Sequence, residues 1–153
     1  MNQSKARLPL SPGKKAQRTS KWAKVITKWL ISFSTRGSRW YFVGFEGTRG
    51  SESRGIVDFI AVCKDHSHES STLKRGDVLD IVLLQVKGGS ARRPTDGDVA
   101  RLRAVARHHR AKAVVLAEWT LGSRPVLFEM KRGKWDRKHP IDPGRFFGRP
   151  QLP

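Results

Sequence analysis

Three polar residues interrupt two otherwise apolar segments of the chain. Asp58 lies within the apolar segment 55–62, and Gln85 and Lys87 lie near the end of the apolar segment 81–89. Because side chains alternate along a strand, Gln85 and Lys87 are expected to point to the same face. A charge inside an apolar strand is costly unless it is paired, bound to a metal or close to an open edge. The three residues therefore mark a candidate site.

These residue types suit metal-assisted chemistry on a phosphodiester. An acidic side chain and a carbonyl-type oxygen are ligands that Mg²⁺ accepts, and Mg²⁺ keeps several of its waters. A neighbouring lysine then orients or deprotonates the attacking water and neutralises the charge that develops on the phosphate. Plainer interpretations exist for single residues: Asp58 caps a turn or pairs with Arg54, and Lys87 reaches solvent from a strand end.

The elements that must position these residues follow from the hydrophobic periodicity. Apolar residues at helical spacing predict a first helix over 20–34, with Ser20 as N-cap and Lys21, Lys24 and Lys28 on its solvent face. Strands are predicted at 40–45, 56–62, 78–86, 113–117 and 126–130. Thr95 and Asp98 have the spacing of a capping box that opens a second helix. The order α-β-β-β-α-β, followed by a short edge strand, predicts an α/β fold with a mixed β-sheet flanked by helices.

The charge is concentrated at the two ends of the chain. Of 153 residues, 31 are Lys or Arg and 13 are Asp or Glu, and the net charge is +18. Residues 1–40 contain no acidic residue. The pattern predicts a basic disordered arm over 1–19, a folded domain over 20–130 and a basic tail rich in Pro and Gly over 131–153. A charge of this size favours a nucleic-acid partner, and it does not distinguish DNA from RNA.

Membrane and secreted classes do not fit the composition. No apolar run approaches the roughly 20 residues that a membrane span needs. The single cysteine, Cys63, has no partner for an internal disulfide. We therefore expect a soluble cytoplasmic protein, associated with the nucleoid in a bacterial or archaeal cell.

Two segments resemble the PD-(D/E)xK nuclease superfamily, in particular its Holliday-junction-resolvase-like and virus-type replication-repair branches. They are SRGIVDFIAV at 53–62 and QVKGG at 85–89, and the likeness in element order covers about residues 20–130. The resemblance implies a restriction-endonuclease-like core and a DNA endonuclease dependent on Mg²⁺ or Mn²⁺. It also implies junctions or other replication and repair intermediates as substrates, and a homodimer in the resolvase branch.

The resemblance also implies roles for individual residues. Asp58 and Gln85 would be metal ligands together with the backbone carbonyl of Val86, and Lys87 would be the catalytic lysine. This chain departs from the family pattern at Gln85, where an acid is usual, and in the first helix, which lacks the acid of the resolvase branch. Glu46 or Glu52 would complete the site, with Glu46 preferred because it lies at a strand end.

Two kinds of function remain open at this stage. Asp58 and Lys87 favour an enzyme, whereas Gln85 favours a non-catalytic nucleic-acid-binding protein on the same fold. A basic RNA-associated protein is a further alternative. In each case basic residues near the site would contact the phosphate backbone, although those near the second helix also suit a solvated helix entrance. The predicted nucleic-acid contacts are Arg49, Ser53, Arg54, Arg92, Arg93 and Arg101. Of the tryptophans, Trp22 and Trp29 are predicted to lie in the core, and Trp135 is the candidate for stacking on bases.

Overall fold

The apolar and alternating segments form six strands in a computed structural model that describes residues 8–35, 38–46 and 55–148. The strands are β1 (Tyr41–Gly44), β2 (Phe59–Asp65), β3 (Val78–Gly88), β4 (Ala113–Trp119), β5 (Val126–Lys131) and β6 (Lys134–Trp135). The helices are α1 (Pro12–Ser34), α2 (Asp96–His108) and α3 (Pro143–Phe147). The predicted element order is confirmed as far as β5.

The strands lie side by side in sequence order and form one mixed sheet. Strands β3 and β4 are parallel, and the other neighbouring pairs are antiparallel. A parallel connection needs a crossover, which α2 supplies between β3 and β4. This arrangement confirms the prediction of an α/β fold with a mixed sheet and helices.

Side-chain alternation along β3 separates two hydrophobic cores. Leu84 and its even-numbered neighbours pack with α1 and with Phe147 of α3. Leu83 faces the opposite side of the sheet, where it packs with Leu102 of α2. Gln85 and Lys87 share the odd-numbered face with Leu83, so the site residues of β3 lie on the α2 side of the sheet.

The helix α1 differs from its prediction in both start and orientation. The helix begins at Pro12, and its N-cap is Ser11 rather than the predicted Ser20. Its buried face consists of Ala23, Lys24, Thr27 and Ile31, while Trp22 and Trp29 are 43% and 53% exposed. The prediction that the two tryptophans lie in the core is therefore wrong.

The close approach of α1 to β3 explains this orientation. A Cβ atom at Gly88 would lie 3.0 Å from the Cβ of Ala23 and 3.1 Å from the carbonyl O of Thr19. Only small side chains fit between the two backbones at that distance, so the indole rings lie outside the contact.

No helix of the described residues is long and apolar enough to cross a membrane.

The segment after Lys131 belongs to the fold rather than to a tail. It forms β6 and α3, and Phe147 is fully buried in the core beside α1. The indole Nε1 of Trp40 donates a hydrogen bond to the carbonyl O of Phe147 (2.6 Å). Trp135 packs against the α2-side core, which leaves the predicted base-stacking role without support from its position. The prediction failed because Pro, Gly and charge dominate this segment and obscure its few apolar anchors.

Candidate functional site

Asp58 lies immediately before β2 and extends the ladder between β2 and β3 with its side chain. Its backbone N–H donates to the carbonyl O of Leu84 (2.9 Å), and its carboxylate Oδ2 accepts from the backbone N–H of Val86 (2.6 Å). These bonds hold Asp58 beside Gln85, one step beyond the last ladder pair, Phe59 with Leu84. The structure thus brings Asp58 against the polar end of β3.

The other carboxylate oxygen of Asp58 faces a lysine of α1. Lys24 Nζ lies 3.3 Å from Oδ1, and the Lys24 and Asp58 side chains are 10% and 25% exposed. The sequence pattern assigned Lys24 to the solvent face of the helix, and that prediction is wrong. Because Ala23 and Thr27 pack against the sheet, the adjacent Lys24 is directed to the sheet as well. A positive charge therefore lies next to the proposed metal ligand.

Gln85 contains a buried acceptor that lacks a hydrogen bond. The residue is 4% exposed, and its Oε1 has no partner among the described residues. An unsatisfied buried polar atom costs about 1–3 kcal/mol, and native structures keep few of them. A bound water or cation at Gln85 would satisfy this oxygen.

The backbone of Val86 adds a third oxygen at the same edge. In an extended strand the N–H and C=O of one residue point to the same neighbouring strand. The Val86 N–H points to Asp58, so its carbonyl also points to the β2 side, at a position beyond the first ladder pair of β2, Phe59 with Leu84. The backbones of Asp58, Gln85 and Val86 are therefore close together, while the Gln85 side chain points to the α2 side of the sheet.

Lys87 lies two residues beyond Gln85 and lines an open pocket. The parallel register places it opposite Glu118 of β4. The pocket has a volume of about 340 Å³, and Lys87, Arg93 and Arg124 supply its positive charge. Its apolar wall includes Trp119, Val126 and Phe128. A phosphate group of a nucleic acid fits this combination of charge and space.

The start of α2 lies close to Lys87. The N-cap Thr95 and Asp98 form the predicted capping box, in which each side chain accepts from the other residue's backbone N–H. The Thr95 N–H bond is the main reason that the pKa of Asp98 is lowered, and the charge of Lys87 lowers it further. The positive charge of Lys87 therefore acts on the first turn of α2.

Glu118 is held firmly by arginines. Arg137 donates two hydrogen bonds to its carboxylate, from Nη2 to Oε1 (2.7 Å) and from Nη1 to Oε2 (3.2 Å). Arg93 Nε lies 3.9 Å from Oε1. These hydrogen bonds lower the pKa of Glu118 and raise the pKa of Arg137, and the opposite charges of the two groups add to both shifts. The Arg137 guanidinium also lies 4.8 Å from the ring centroid of Phe128, which fixes its plane.

Sequence reasoning missed Lys24, Glu118 and Arg137. Glu118 could have been recognised from the sequence, because it is a charged residue within the apolar segment that forms β4, as Asp58 is within its own segment. Arg137 could not, since it lies among other basic residues. Lys24 lies within the helical pattern, but the pattern alone placed it on the wrong face.

The other predicted site residues add little to the described geometry of the site. Glu46 is exposed and lies two residues after the end of β1. The backbone N–H of its neighbour Phe45 donates to the carbonyl O of Asp58 (3.4 Å), so Glu46 lies near the site in the chain. Glu52 lies outside the described residues, as do Arg49, Ser53 and Arg54.

The predicted arginines of the α2 side are all exposed. Arg93 lines the pocket together with Lys87, and its predicted phosphate contact stays a prediction. Arg92 lies next to it in the loop, and Arg101 lies on α2. Arg124, which the sequence analysis did not select, lines the same pocket.

The oxygen atoms at the end of β3 fit a hard divalent cation held by few protein ligands. They comprise one carboxylate, one side-chain amide oxygen and one backbone carbonyl, from Asp58, Gln85 and Val86. Within the described residues no cluster of three or more His, Cys, Asp or Glu has the geometry of a metal site. A cation here would keep much of its water shell, as Mg²⁺ commonly does in proteins.

Comparison of the chain with protein-family models, with curated proteins and with solved structures finds no match. The functional inference therefore rests on the site itself. The candidate site combines Asp58 bound to the Val86 amide, Gln85 with an unsatisfied Oε1, and Lys87 in a pocket lined also by Arg93, Arg124 and Glu118, in a strongly basic chain.

Proposed function

We propose that this protein is a metal-dependent nuclease, a phosphodiester hydrolase with a restriction-endonuclease-like core. The observation that carries the proposal is the buried Oε1 of Gln85, which has no hydrogen-bond partner among the described residues and belongs to the residue before Val86, whose amide binds the Asp58 carboxylate. A purely structural glutamine would be expected to use its acceptor. The position of Lys87 on the same face adds the catalytic group that such a site needs.

Each residue has a distinct role in this proposal. Asp58 binds the cation with its negative charge, and Gln85 and the Val86 carbonyl add neutral oxygens. The bound Mg²⁺ or Mn²⁺ supplies Lewis-acid stabilisation of the phosphate. Lys87 orients the attacking water, accepts its proton when deprotonated or stabilises the pentacovalent phosphate when charged.

The substrate class follows from charge. The net charge of +18 favours a polyanion, and Arg93 and Arg124 in the pocket beside Lys87 are placed to contact the phosphates that flank the scissile bond. We propose DNA as the substrate, with junctions or replication and repair intermediates as the preferred forms. This preference rests on the resemblance of 53–62 and 85–89 to the resolvase branch.

One observation favours a second candidate, a nucleic-acid-binding protein that does not cleave. Lys24 Nζ lies 3.3 Å from Oδ1 of Asp58 and balances its negative charge. Asp58 therefore has a positively charged partner without a metal ion. In this alternative Asp58 and Lys24 stabilise the contact between α1 and the sheet. The basic pocket would then bind phosphate without hydrolysing it.

A cleavage assay separates the two candidates. Linear, nicked and four-way DNA, and a matched RNA, are incubated with the protein in Mg²⁺, in Mn²⁺ and in EDTA. The nuclease proposal predicts cleavage of at least one DNA substrate that requires a metal and that Asp58→Asn abolishes.

The matched control is Asp80→Asn. Asp80 also pairs with a lysine, Lys112, at 2.8 Å, and its side chain is 26% exposed, compared with 25% for Asp58. Asp80→Asn should keep full activity, because Asp80 lies near the opposite end of β3. Tight DNA binding without cleavage under any metal condition would reject the nuclease and favour the binding protein.

A further inference from the structure

The geometry of Asp58 points to a role for Lys24 that resemblance to a nuclease does not supply. We infer that the Lys24 ammonium occupies the cation position of the metal-free site and competes with the divalent ion for Asp58. Lys24 would thereby set the metal concentration at which the site is filled. This inference rests on the proposed function and concerns the metal affinity of the same site.

The first argument is the location of the ammonium group. Oδ2 of Asp58 is engaged by the Val86 amide at 2.6 Å, which leaves Oδ1 as the oxygen available to a cation. Lys24 Nζ lies 3.3 Å from that oxygen. A divalent ion and an ammonium group cannot both contact Oδ1 closely, because like charges at such separations repel strongly.

The second argument is that Lys24 is able to leave. A lysine is a point charge on a flexible four-carbon stem, and this contact is a single one rather than a bidentate fork. The Asp58 side chain is 25% exposed, so an ion from solvent can reach its carboxylate. The Lys24 side chain is only 10% exposed, so the proposed exchange requires its ammonium group to move out past Asp58 while the stem stays packed in the α1 contact.

The balance of charges at the proposed site also supports the inference. Besides Asp58, the other ligands of the site, Gln85 and the Val86 carbonyl, are neutral. Lys24 and Lys87 both bring positive charge to the end of β3. A site with one carboxylate and two ammonium groups disfavours a divalent cation until one ammonium group withdraws.

The test measures metal binding directly, without cleavage. Mn²⁺ is titrated into the full chain, and the free ion is followed by its electron paramagnetic resonance signal in the absence of DNA. We expect Lys24→Met to lower the Mn²⁺ dissociation constant by about tenfold, which corresponds to about 1.4 kcal/mol. Lys24→Gln removes the same charge with a polar side chain and should give the same direction. In cleavage assays the Mg²⁺ concentration for half-maximal rate should fall likewise, with a smaller change in the maximal rate.

The control variant is Lys112→Met, which removes the lysine of the Asp80 pair. It changes the net charge equally but lies away from the site, so the Mn²⁺ dissociation constant should stay within about twofold of wild type. Unchanged Mn²⁺ affinity in both Lys24 variants, in a wild-type protein that cleaves DNA with metal, would overturn this inference alone. An equal gain in Lys112→Met would also overturn it, as a general charge effect. If the wild type neither binds Mn²⁺ nor cleaves DNA, the proposed function fails and this inference with it.

Discussion

Two carboxylates flank the polar end of β3, and their partners differ in kind. Asp58, on the β2 side, receives one contact from a lysine at 3.3 Å and one from a backbone amide. Glu118, on the β4 side, receives a bidentate contact from Arg137 at 2.7 and 3.2 Å, with Arg93 nearby. A guanidinium fork fixes both the position and the orientation of a carboxylate, whereas an ammonium group is a point charge that leaves easily.

This difference suits Asp58 and Glu118 to different roles in the proposed site. Glu118 is saturated by arginine, so it positions Arg137 and Arg93 at the edge of the pocket rather than binding a metal. Asp58 has a single lysine partner, and the neighbouring strand contributes Gln85, whose Oε1 has no hydrogen-bond partner among the described residues. In the proposed nuclease, the metal site would therefore lie between β2 and β3, and Glu118 on β4 would support the pocket.

The largest expected effect separates Lys87 from Glu118 in catalysis. Lys87→Ala should lower the single-turnover cleavage rate by at least about 100-fold, the usual scale for a general acid or base. Glu118→Gln should lower it by less than about tenfold, because it disturbs only the support of the pocket. Lys64→Ala, which removes an exposed lysine at the far end of β2, is the charge-matched control. A Glu118→Gln rate as low as that of Lys87→Ala would break the distinction.

A somewhat smaller effect is expected from adding an acid at the β2–β3 edge. Gln85→Glu places a charge on a side chain that is 4% exposed, so stability in EDTA should fall by about 1–3 kcal/mol. Mg²⁺ should bind about tenfold more tightly and restore the loss, since a carboxylate is a better ligand than an amide. Urea unfolding with and without Mg²⁺ measures both quantities. A stability loss that Mg²⁺ does not restore would argue that no cation binds beside Gln85.

The ion pair of Glu118 with Arg137 should make the free energy of unfolding depend on pH. Arg137 lowers the pKa of Glu118 in the folded state, so the pair stabilises the protein above the ordinary glutamate pKa. That contribution is lost as the pH falls through the lowered folded pKa. Glu118→Gln should therefore cost about 1 kcal/mol near neutral pH and progressively less in acid.

The control for this pH profile is Glu129→Gln. Glu129 also contacts a cation, Lys131 at 3.7 Å, but the lysine side chain is 56% exposed. Its variant should unfold within about 0.5 kcal/mol of wild type, as expected for a surface pair. A difference between wild type and Glu118→Gln that grows in acid would contradict the assignment.

The smallest effect concerns phosphate contacts in the pocket. Arg124→Ala should reduce the salt dependence of DNA affinity by about one unit of slope, with a modest loss of affinity at low salt. Arg75→Ala, an exposed arginine in the loop between β2 and β3, is the matched control. Equal slopes for the two variants would show that the DNA does not pass through the pocket.

Local signals allowed much of the fold to be predicted. The capping box of Thr95 and Asp98 and the apolar run of β3 are both present as expected. The face of α1 was mispredicted, because its orientation depends on the backbone approach at Gly88, which no helical pattern encodes. The role of α3 was missed because Phe147 is an apolar anchor within a segment of Pro, Gly and charge.

The candidate site was predictable only in part. The polar interruptions at Asp58, Gln85 and Lys87 were visible because buried strands tolerate few such residues. Their partners were not, since Lys24 and Arg137 reach the site from segments distant in sequence and through tertiary packing. The sequence pattern thus indicated the candidate residues but not the charged side chains that contact or flank them.

The most direct test of a metal site at Asp58 is a Mn²⁺ titration followed by ¹⁵N–¹H NMR of the wild type. Paramagnetic broadening should appear first at the backbone amides of Asp58 and Val86 and at the side-chain amide of Gln85. The Asp58→Asn variant should lose that broadening, and Asp80→Asn should keep it. Broadening that begins instead in the loop 65–69, which contains two acids and two histidines, and leaves Val86 sharp would contradict the account.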